Sequence, residues 1–360
     1  MTKVLFISND PLMFDAGSAV RSRMRAYKGL FDELHVISRS PLHVSGIVRD
    51  GNLILYPLPY GRMMARIMMV SRARAILRHV RGITVVSAQD PFEFGLIGFL
   101  ARLGASAKLH IQIHTDIYSP HFMFHPPLNI LRLLVASFVI RRADGIRVIT
   151  ERLREKIIQK YNSRAHISVL PIFTDIQTFA HMARLKHPRF KIALLTVSRL
   201  ESEKNIALAI HALRMAREGG HDAGLTIVGD GRERENLLAL ARSCGLERYV
   251  DCVGWKDDVR PYLRAADILL FPSHYDGYGV AIIEALASGV PVLATDVGVA
   301  REAGAIVVSP HDFPRALVAW IEKGPRRGEL RSYPYKNFDE YLRLFKQDIE
   351  YCADSTSPVQ

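Results

Sequence analysis

SHYDGYGVAIIEALASGVPVLATD, residues 273–296, sets two carboxylates, Asp276 and Glu284, eight positions apart around Gly277-Tyr278-Gly279. The residues just before it, DILLFPS (267–273), form an apolar run of strand length that stops at a proline and a serine. The residues after Gly279 repeat apolar side chains at helical spacing. A strand, a glycine-rich turn and a helix therefore follow one another. In an open parallel sheet, ligands bind beyond the carboxyl ends of the strands, so this turn is a candidate site. Glycines at a helix start leave backbone N–H groups open to a phosphate. Glu284 lies about two turns into the expected helix, among Ile282, Ile283, Ala285, Leu286 and Ala287. A carboxylate is rarely placed among such neighbours without a partner. Two oxygens side by side fit the vicinal hydroxyls of a ribose, and Asp276, nearer the turn, is placed for hydroxyls of a second sugar.

Moving outward, SRLESEKN (198–205) follows another strand-like run, KIALLTVS (191–198). Arg199 and Lys204 in that strand-to-helix turn suit a diphosphate. A solvated turn with surface salt bridges is the alternative. Val228-Gly229-Asp230-Gly231 ends a further strand and permits a tight turn and close backbone approach.

The whole chain alternates such runs. Strands are expected at 3–8, 34–38, 52–56, 83–88, 107–114, 145–150 and 166–171, with helices at 18–30, 62–80, 92–103, 127–142 and 151–161. After a polar stretch at 179–190 the alternation resumes. Strands follow at 191–198, 225–229, 249–254, 267–273, 290–295 and 305–309, with helices at 205–218, 231–243, 258–265, 279–288 and 312–323. The fold class is therefore α/β, with two Rossmann-like domains facing each other across a cleft. The expected boundaries are 1–180 for the first domain, 181–190 for a linker and 191–335 for the second domain. An amphipathic helix at 336–352 is expected to pack back toward the first domain, ahead of a flexible tail at 353–360.

The 360 residues carry 48 Lys and Arg against 36 Asp and Glu, a formal charge of +12. Residues 1–180 hold 24 basic and 12 acidic side chains, so the entire excess sits in the first half. Something anionic is expected there, such as a membrane surface, a nucleic acid or a phosphorylated acceptor. GRMMARIMMVSRARAILRHVRG (61–82) has six arginines and no acid. Arg62, Arg66, Arg72, Arg74 and Arg78 are candidates for an anionic leaflet or the acceptor side, and a surface helix packed on the sheet is the competing reading. Few aromatics interleave with these basic runs, so no nucleic acid is expected. LNILRLLVASFVI (128–140) is too short to span a bilayer and reads as a buried helix. The N-terminus does not read as a signal peptide, and the three cysteines have neither metal-ligand spacing nor a disulfide pattern. A reducing, cytoplasmic location is expected, with peripheral attachment to the inner membrane face.

PSHYDGYGVAIIEALASGVPV (272–292) resembles the E-x7-E motif of the retaining glycosyltransferases of family 4, P-S-x-x-E-G-F-G-x-x-x-x-E-A-x-A-x-G-x-P-V, which have the GT-B fold. SRLESEKN resembles that family's G-R-L-x-x-E-K stretch, and IVGDG (227–231) its V-G-x-G segment. The resemblance implies that Arg199 and Lys204 hold the donor diphosphate. Through VGWKDDVRPYLRAADILLFPS (253–273) it implies that Gly254, Trp255 and Lys256 frame the nucleobase. HIQIHTD (110–116) is similar to the segment whose histidine contacts the transferred sugar, which implies His114. AGSAVRSRM (16–24) resembles the first loop, with Gly17 at the phosphates and Ser18 where the family has a second glycine. Asp276 stands where the family has Glu, one methylene shorter.

The implied activity is metal-independent, retaining transfer of a hexose from a UDP- or GDP-sugar to a hydroxyl acceptor, such as a lipid-linked or cell-surface glycan precursor. No cofactor is expected beyond the nucleotide-sugar substrate, and His114, Arg199, Lys204 and Asp276 are the implied catalytic set. The alternatives are a nucleotide-sugar epimerase and a non-catalytic sugar-nucleotide-binding subunit. Oligomeric state is not legible.

Overall fold

The computed structural model describes residues 2–124, 128–161, 165–180 and 182–354. They form two compact units: residues 1–172 with 335–360, and residues 173–334. The chain thus leaves the first unit, builds the second, and returns.

The first unit runs β1 (Lys3–Ser8), α1 (Ala19–Lys28), β2 (Glu33–Arg39), β3 (Val48–Asp50), β4 (Leu53–Leu58), α2 (Arg62–His79), β5 (Ile83–Ala88), α3 (Glu93–Arg102), β6 (Lys108–Ile113), α4 (Pro120–Phe124), α5 (Asn129–Ile140), β7 (Gly145–Val148), α6 (Glu151–Tyr161) and β8 (His166–Val169). Among the described residues these strands form an eight-stranded sheet in the order β3-β4-β2-β1-β5-β6-β7-β8. Only β3 with β4 is antiparallel. The inner strands are apolar on both faces, as a sheet covered twice by helices requires.

The second unit runs β9 (Ile192–Val197), α7 (Ile206–Glu218), β10 (Ala223–Val228), α8 (Arg234–Ser243), β11 (Val250–Gly254), α9 (Arg260–Ala265), β12 (Ile268–Phe271), α10 (Val280–Ala287), β13 (Val292–Ala294), α11 (Ala300–Ala303), β14 (Ile306–Val307) and α12 (Phe313–Lys323). Its sheet is parallel, in the order β11-β10-β9-β12-β13-β14. Strand order reverses between β9 and β12, which makes the carboxyl ends of those two strands the switch point.

The last element, α13 (Phe338–Asp354), belongs to the first unit and packs on β5, β6, β7 and β8. Tyr341, Phe345, Ile349 and Cys352 form its buried stripe. Phe345 is fully buried, stacked on Tyr27 at 4.6 Å between ring centres and edge-on to Phe6. Gly145 admits the helix, because a Cβ there would sit 2.8 Å from that of Cys352.

The structure differs from the sequence expectations in three places. Residues 173–180, expected in the first domain, and 182–190, expected as a linker, both belong to the second unit. Leu185 N–H donates to Arg264 O at 2.8 Å, Arg189 is paired with Asp251, and the Phe190 ring covers Gly224. The stretch lacks periodicity because its few apolar side chains dock singly. The second difference is α5. It buries Asn129, Ala136, Val139 and Ile140, but leaves Leu128, Ile130, Leu131, Leu134 and Phe138 exposed. A helix apolar all round does not show in its sequence which face is covered. The third is the tail: Ala353 and Asp354 continue α13, and residues 355–360 lie outside the described residues.

Removing the Phe345 ring should leave a cavity where β1, α1 and α13 meet. Phe345→Ala is expected to cost about 3–5 kcal/mol, read as a lower urea midpoint with little change in far-ultraviolet circular dichroism.

Candidate functional site

The switch point of the second unit gathers the turns that follow β9, β10 and β12. After β9, the chain makes a 3-10 turn at Ser202–Lys204. It enters α7 through Asn205, the one non-glycine among the described residues with positive φ, at 49°. The β10 turn presses against it. Leu200 N–H donates to Asp230 O at 2.8 Å, and a Cβ on Gly229 (φ 141°) would lie 1.8 Å from Ser198 O. Only glycine permits that approach.

After β12, Pro272 and Ser273 are buried, and Thr295 Oγ1 donates to Ser273 O at 2.6 Å. Tyr278 is buried, and its carbonyl accepts from Val299 N–H at 3.0 Å. A Cβ on Gly298 (φ 53°) would come within 2.3 Å of that carbonyl oxygen. Gly279 begins α10 in left-handed backbone, and no side chain caps the first amides of the helix. The turn's backbone is thus braced from beneath while the helix end stays open, the arrangement an anion uses.

Four of the expected side chains lie in these turns and on α10, in three different states. Lys204 Nζ and Asp276 Oδ2 are 2.5 Å apart, and both side chains are largely buried. Arg199 is 64% exposed and pairs with Glu203 at 3.2 Å. Among the described residues, no opposite charge or donor offsets the burial of Glu284 on α10. Burial alone pushes its carboxyl up to about 7. Gly277 lies in the turn between Asp276 and Tyr278.

Farther along the sheet edge, Gly254 closes β11 with positive φ, and its carbonyl accepts from Gly229 N–H at 2.9 Å. Trp255 and Lys256 beyond it are exposed. The indole N–H donates to Asp257 at 3.2 Å.

In the first unit, His114 follows β6. Its Nε2 lies 3.1 Å from Gln112 Oε1, while Nδ1 is buried without a hydrogen-bond partner. Burial, with a smaller contribution from the Arg147 charge, pushes its pKa down to about 3. Gly17 sits in a self-contained turn. Its N–H donates to Asp15 Oδ1 at 3.0 Å, and Ser18 caps α1 by accepting from Arg21 N–H. The Gly17 amide is therefore already engaged.

The basic residues are distributed unevenly. Arg21, Arg25 and Lys28 converge on Asp50, and hydrogen bonds from Lys28, then Arg25, hold its carboxyl well below the usual range. On α2, the buried stripe is Ala65, Met69, Ala73 and Ile76, which packs on α3. Arg66 pairs with Glu93 at 3.4 Å, and Arg74 Nε donates to Leu100 O. Arg62, Arg72 and Arg78 are exposed. The apolar stripe of α5, expected to be buried, is exposed, and Arg132, Arg141 and Arg142 around it are the sequence signal for that. Arg142 covers Phe138 at 3.8 Å. Among the described residues no helix is long and apolar enough to cross a membrane, and no three His, Cys, Asp or Glu side chains cluster as metal ligands.

Residues 16–172 match the sequence family described as glycosyl transferase 4-like domain, and residues 191–323 match glycosyl transferases group 1. The chain is similar to glycogen synthase of Mycobacterium tuberculosis, with 32% identity over 173 residues covering 47% of the chain and 41% of the relative. It is similar to the lipopolysaccharide core biosynthesis glycosyltransferase LpsE of Rhizobium meliloti, with 35% identity over 113 residues covering 31% and 32%. The matches thus span less than half the length of either relative. In fold it is similar to the Anabaena protein HepE solved with UDP and glucose, with TM-score 0.66, 18% identity, and 98% and 97% of the two chains covered.

Glu284 should show in the pH dependence of stability. Its folded pKa of about 7 lies above the ordinary glutamate value of 4.5. The unfolded chain therefore loses this proton first as pH rises. Stability present below about 4.5 should decline by roughly 3 kcal/mol through pH 7. Glu284→Gln should flatten that slope and raise the melting temperature at pH 8 more than at pH 4.5. Equal shifts at the two pH values would contradict the assignment.

Proposed function

We propose that this chain, which belongs to the GT-B glycosyltransferases of the family-4 type, binds a nucleotide-diphosphate sugar at the β9–β12 switch point and transfers its hexose, with retention, to a hydroxyl acceptor. The observation that carries the reading is Glu284. An ionisable carboxyl held near neutrality by burial, with nothing offsetting it, lacks a partner that a ligand would supply. Two vicinal hydroxyls of a ribose would donate to its two oxygens. The diphosphate would lie over the open amides of α10, with Lys204 and Arg199 as counter-charges. Lys204 is held in place by Asp276, while Arg199 is free to swing from Glu203 toward the ligand.

In the reaction, the bond between the anomeric carbon and the diphosphate oxygen breaks as the acceptor oxygen bonds to the same face of that carbon. The acceptor proton passes to the departing phosphate oxygen. Lys204, Arg199 and the α10 amides stabilise the charge growing on the leaving group without requiring a metal, and one such contact supplies roughly 3–4 kcal/mol. By the family resemblance, His114 would contact the transferred sugar. The names of HepE's bound ligands, UDP and glucose, support a UDP-linked hexose as the first donor to test. The name of LpsE supports a surface-glycan acceptor.

For a lipid-linked acceptor, α5 is the better membrane element than α2 alone. Leu131, Leu134 and Phe138 form one exposed stripe, and α2 and α5 both pack on α3. The apolar stripe would enter the headgroup layer while Arg62, Arg72 and Arg78 meet anionic lipid.

UDP-, GDP- and ADP-sugars are to be compared by thermal shift. A true donor at a hundred times its dissociation constant should stabilise the chain by about 2.7 kcal/mol. Glu284→Ala should abolish that shift. Lys204→Ala should lower turnover about a hundredfold. No stabilisation by any nucleotide sugar would defeat the proposal. Vesicles containing phosphatidylglycerol should co-sediment the protein at low salt, and Leu131→Asp with Leu134→Asp should release it. Equal sedimentation with neutral vesicles would exclude the charged part of that contact.

A further inference from the structure

A row of buried polar side chains runs across the first sheet beneath α13. Ser87 on β5 is in register with His110 on β6, and Gln112 on β6 is in register with Arg147 on β7. Asp348 of α13 closes the row. Its Oδ2 lies 3.1 Å from His110 Nε2, and its Oδ1 accepts from Ser168 Oγ at 2.5 Å. His110 Nδ1 lies 2.9 Å from Ser87 Oγ, and Gln112 Nε2 donates to Ser87 Oγ at 3.1 Å. At the other end, Gln112 Oε1 lies 3.1 Å from His114 Nε2 and 3.5 Å from Arg147 Nη1.

Donor and acceptor counting makes this row directional. A guanidinium has only donors, so the Gln112 atom beside Arg147 is the carbonyl oxygen. The same amide turns its nitrogen to Ser87, which agrees. From the far end, the Asp348 carboxylate only accepts, so His110 Nε2 carries a proton. In neutral His110, Nδ1 then accepts from the Ser87 hydroxyl, leaving the Ser87 oxygen to accept from Gln112. Both ends therefore give Gln112 the same orientation. Its oxygen leaves His114 Nε2 only one role, that of donor.

We infer that this row locks His114 in the Nε2–H tautomer, with Gln112 and Asp348 as positioning residues, so that its unfilled Nδ1 lone pair accepts a hydrogen bond from a ligand hydroxyl. A phosphate or carboxylate oxygen, an acceptor itself, is refused at that atom. A sugar hydroxyl is taken. The identity of the hydroxyl rests on the nucleotide-sugar reading above, but the tautomer does not.

The test needs neither substrate nor turnover. Uniformly 15N-labelled protein is observed at pH 7 through long-range proton–nitrogen correlations of the imidazoles, with His114 assigned by its loss in His114→Gln. The wild type should show one pyridine-like nitrogen at Nδ1 and one pyrrole-like nitrogen at Nε2. Gln112→Glu keeps an acceptor beside His114 and should keep that pattern. Gln112→Leu removes the acceptor and should give averaged nitrogen shifts. A wild-type His114 that is protonated, averaged or of the Nδ1–H form overturns the inference, as does an unchanged single tautomer in Gln112→Leu. Because the wild-type spectrum decides by itself, misfolding of a variant leaves the inference testable. A correct tautomer with no nucleotide-sugar binding would sink the functional reading and spare this one.

Discussion

The burial of Arg147 beneath α13 is the constraint on which the first unit depends. Arg147 lies on β7, next to the edge strand β8, and its side chain is almost wholly inaccessible to water. An ionised group in that position is costly unless its donors are satisfied. Nε donates to Leu170 O at 2.7 Å, and Nη2 to Pro171 O and to Tyr341 Oη. Tyr341 belongs to α13, and so does Asp348. Burial alone would push the Asp348 carboxyl up, but the His110 imidazole and the Ser168 hydroxyl that donate to its oxygens, with the nearby Arg147 charge, hold it below the usual range. The first sheet therefore reaches a satisfied state only after the chain has made the second unit and come back. Tyr335 Oη, at the point of return, donates to Pro171 O at 2.7 Å, next to the point of departure. In sequence terms, residues 173–334 are inserted into a domain that needs both of its ends.

The second unit treats charge differently. Its core cluster around α7 and α12 is apolar, built from residues such as Ile210, Leu213, Phe313 and Leu317. Polar groups collect at the carboxyl ends of the strands. The backbone approaches at Gly229 and Gly298 hold those turns rigid through main chain rather than side chain, so Lys204, Asp276 and Glu284 stand on a fixed floor. The Lys204–Asp276 pair satisfies itself, whereas Glu284 does not. Fixed geometry with one unmet carboxyl is what preorganised binding of a neutral, hydrogen-bond-donating group requires.

Most of this could be read from the sequence because parallel strands buried on both faces announce themselves as β-branched runs. The turns after β9 and β12 were legible for the same reason, since they lie where such runs stop and glycines begin. Elements without a long run were not. β3 is three residues at a sheet edge, and α4 and α11 are single short turns of helix. The exposed side of α5 was hidden by its composition, since Leu131 and Leu134 look no different from Val139 and Ile140. Partner choice was equally hidden. Nothing in the spacing of Arg199 and Lys204 says that one meets Glu203 and the other Asp276. The polar row under α13 was beyond reach, because Asp348 lies 238 positions from His110.

The shorter acid at position 276 takes on meaning from its partner. An aspartate on this turn already reaches Lys204 at 2.5 Å, so a longer side chain would have to fold back or go elsewhere. The pair keeps the ammonium pointed and partly neutralised until an anion of higher charge arrives. Glu284 and His114, by contrast, each leave an acceptor without a donor. Neither feature would serve a protein that bound phosphate alone, since an anion offers no proton to a carboxylate or to an imidazole lone pair. Within the second unit alone, an engaged cation beside an open helix end and an unmet carboxyl suit a ligand that is anionic in one part and carries hydroxyls in another. That is the chemical description of a sugar carried on a nucleoside diphosphate.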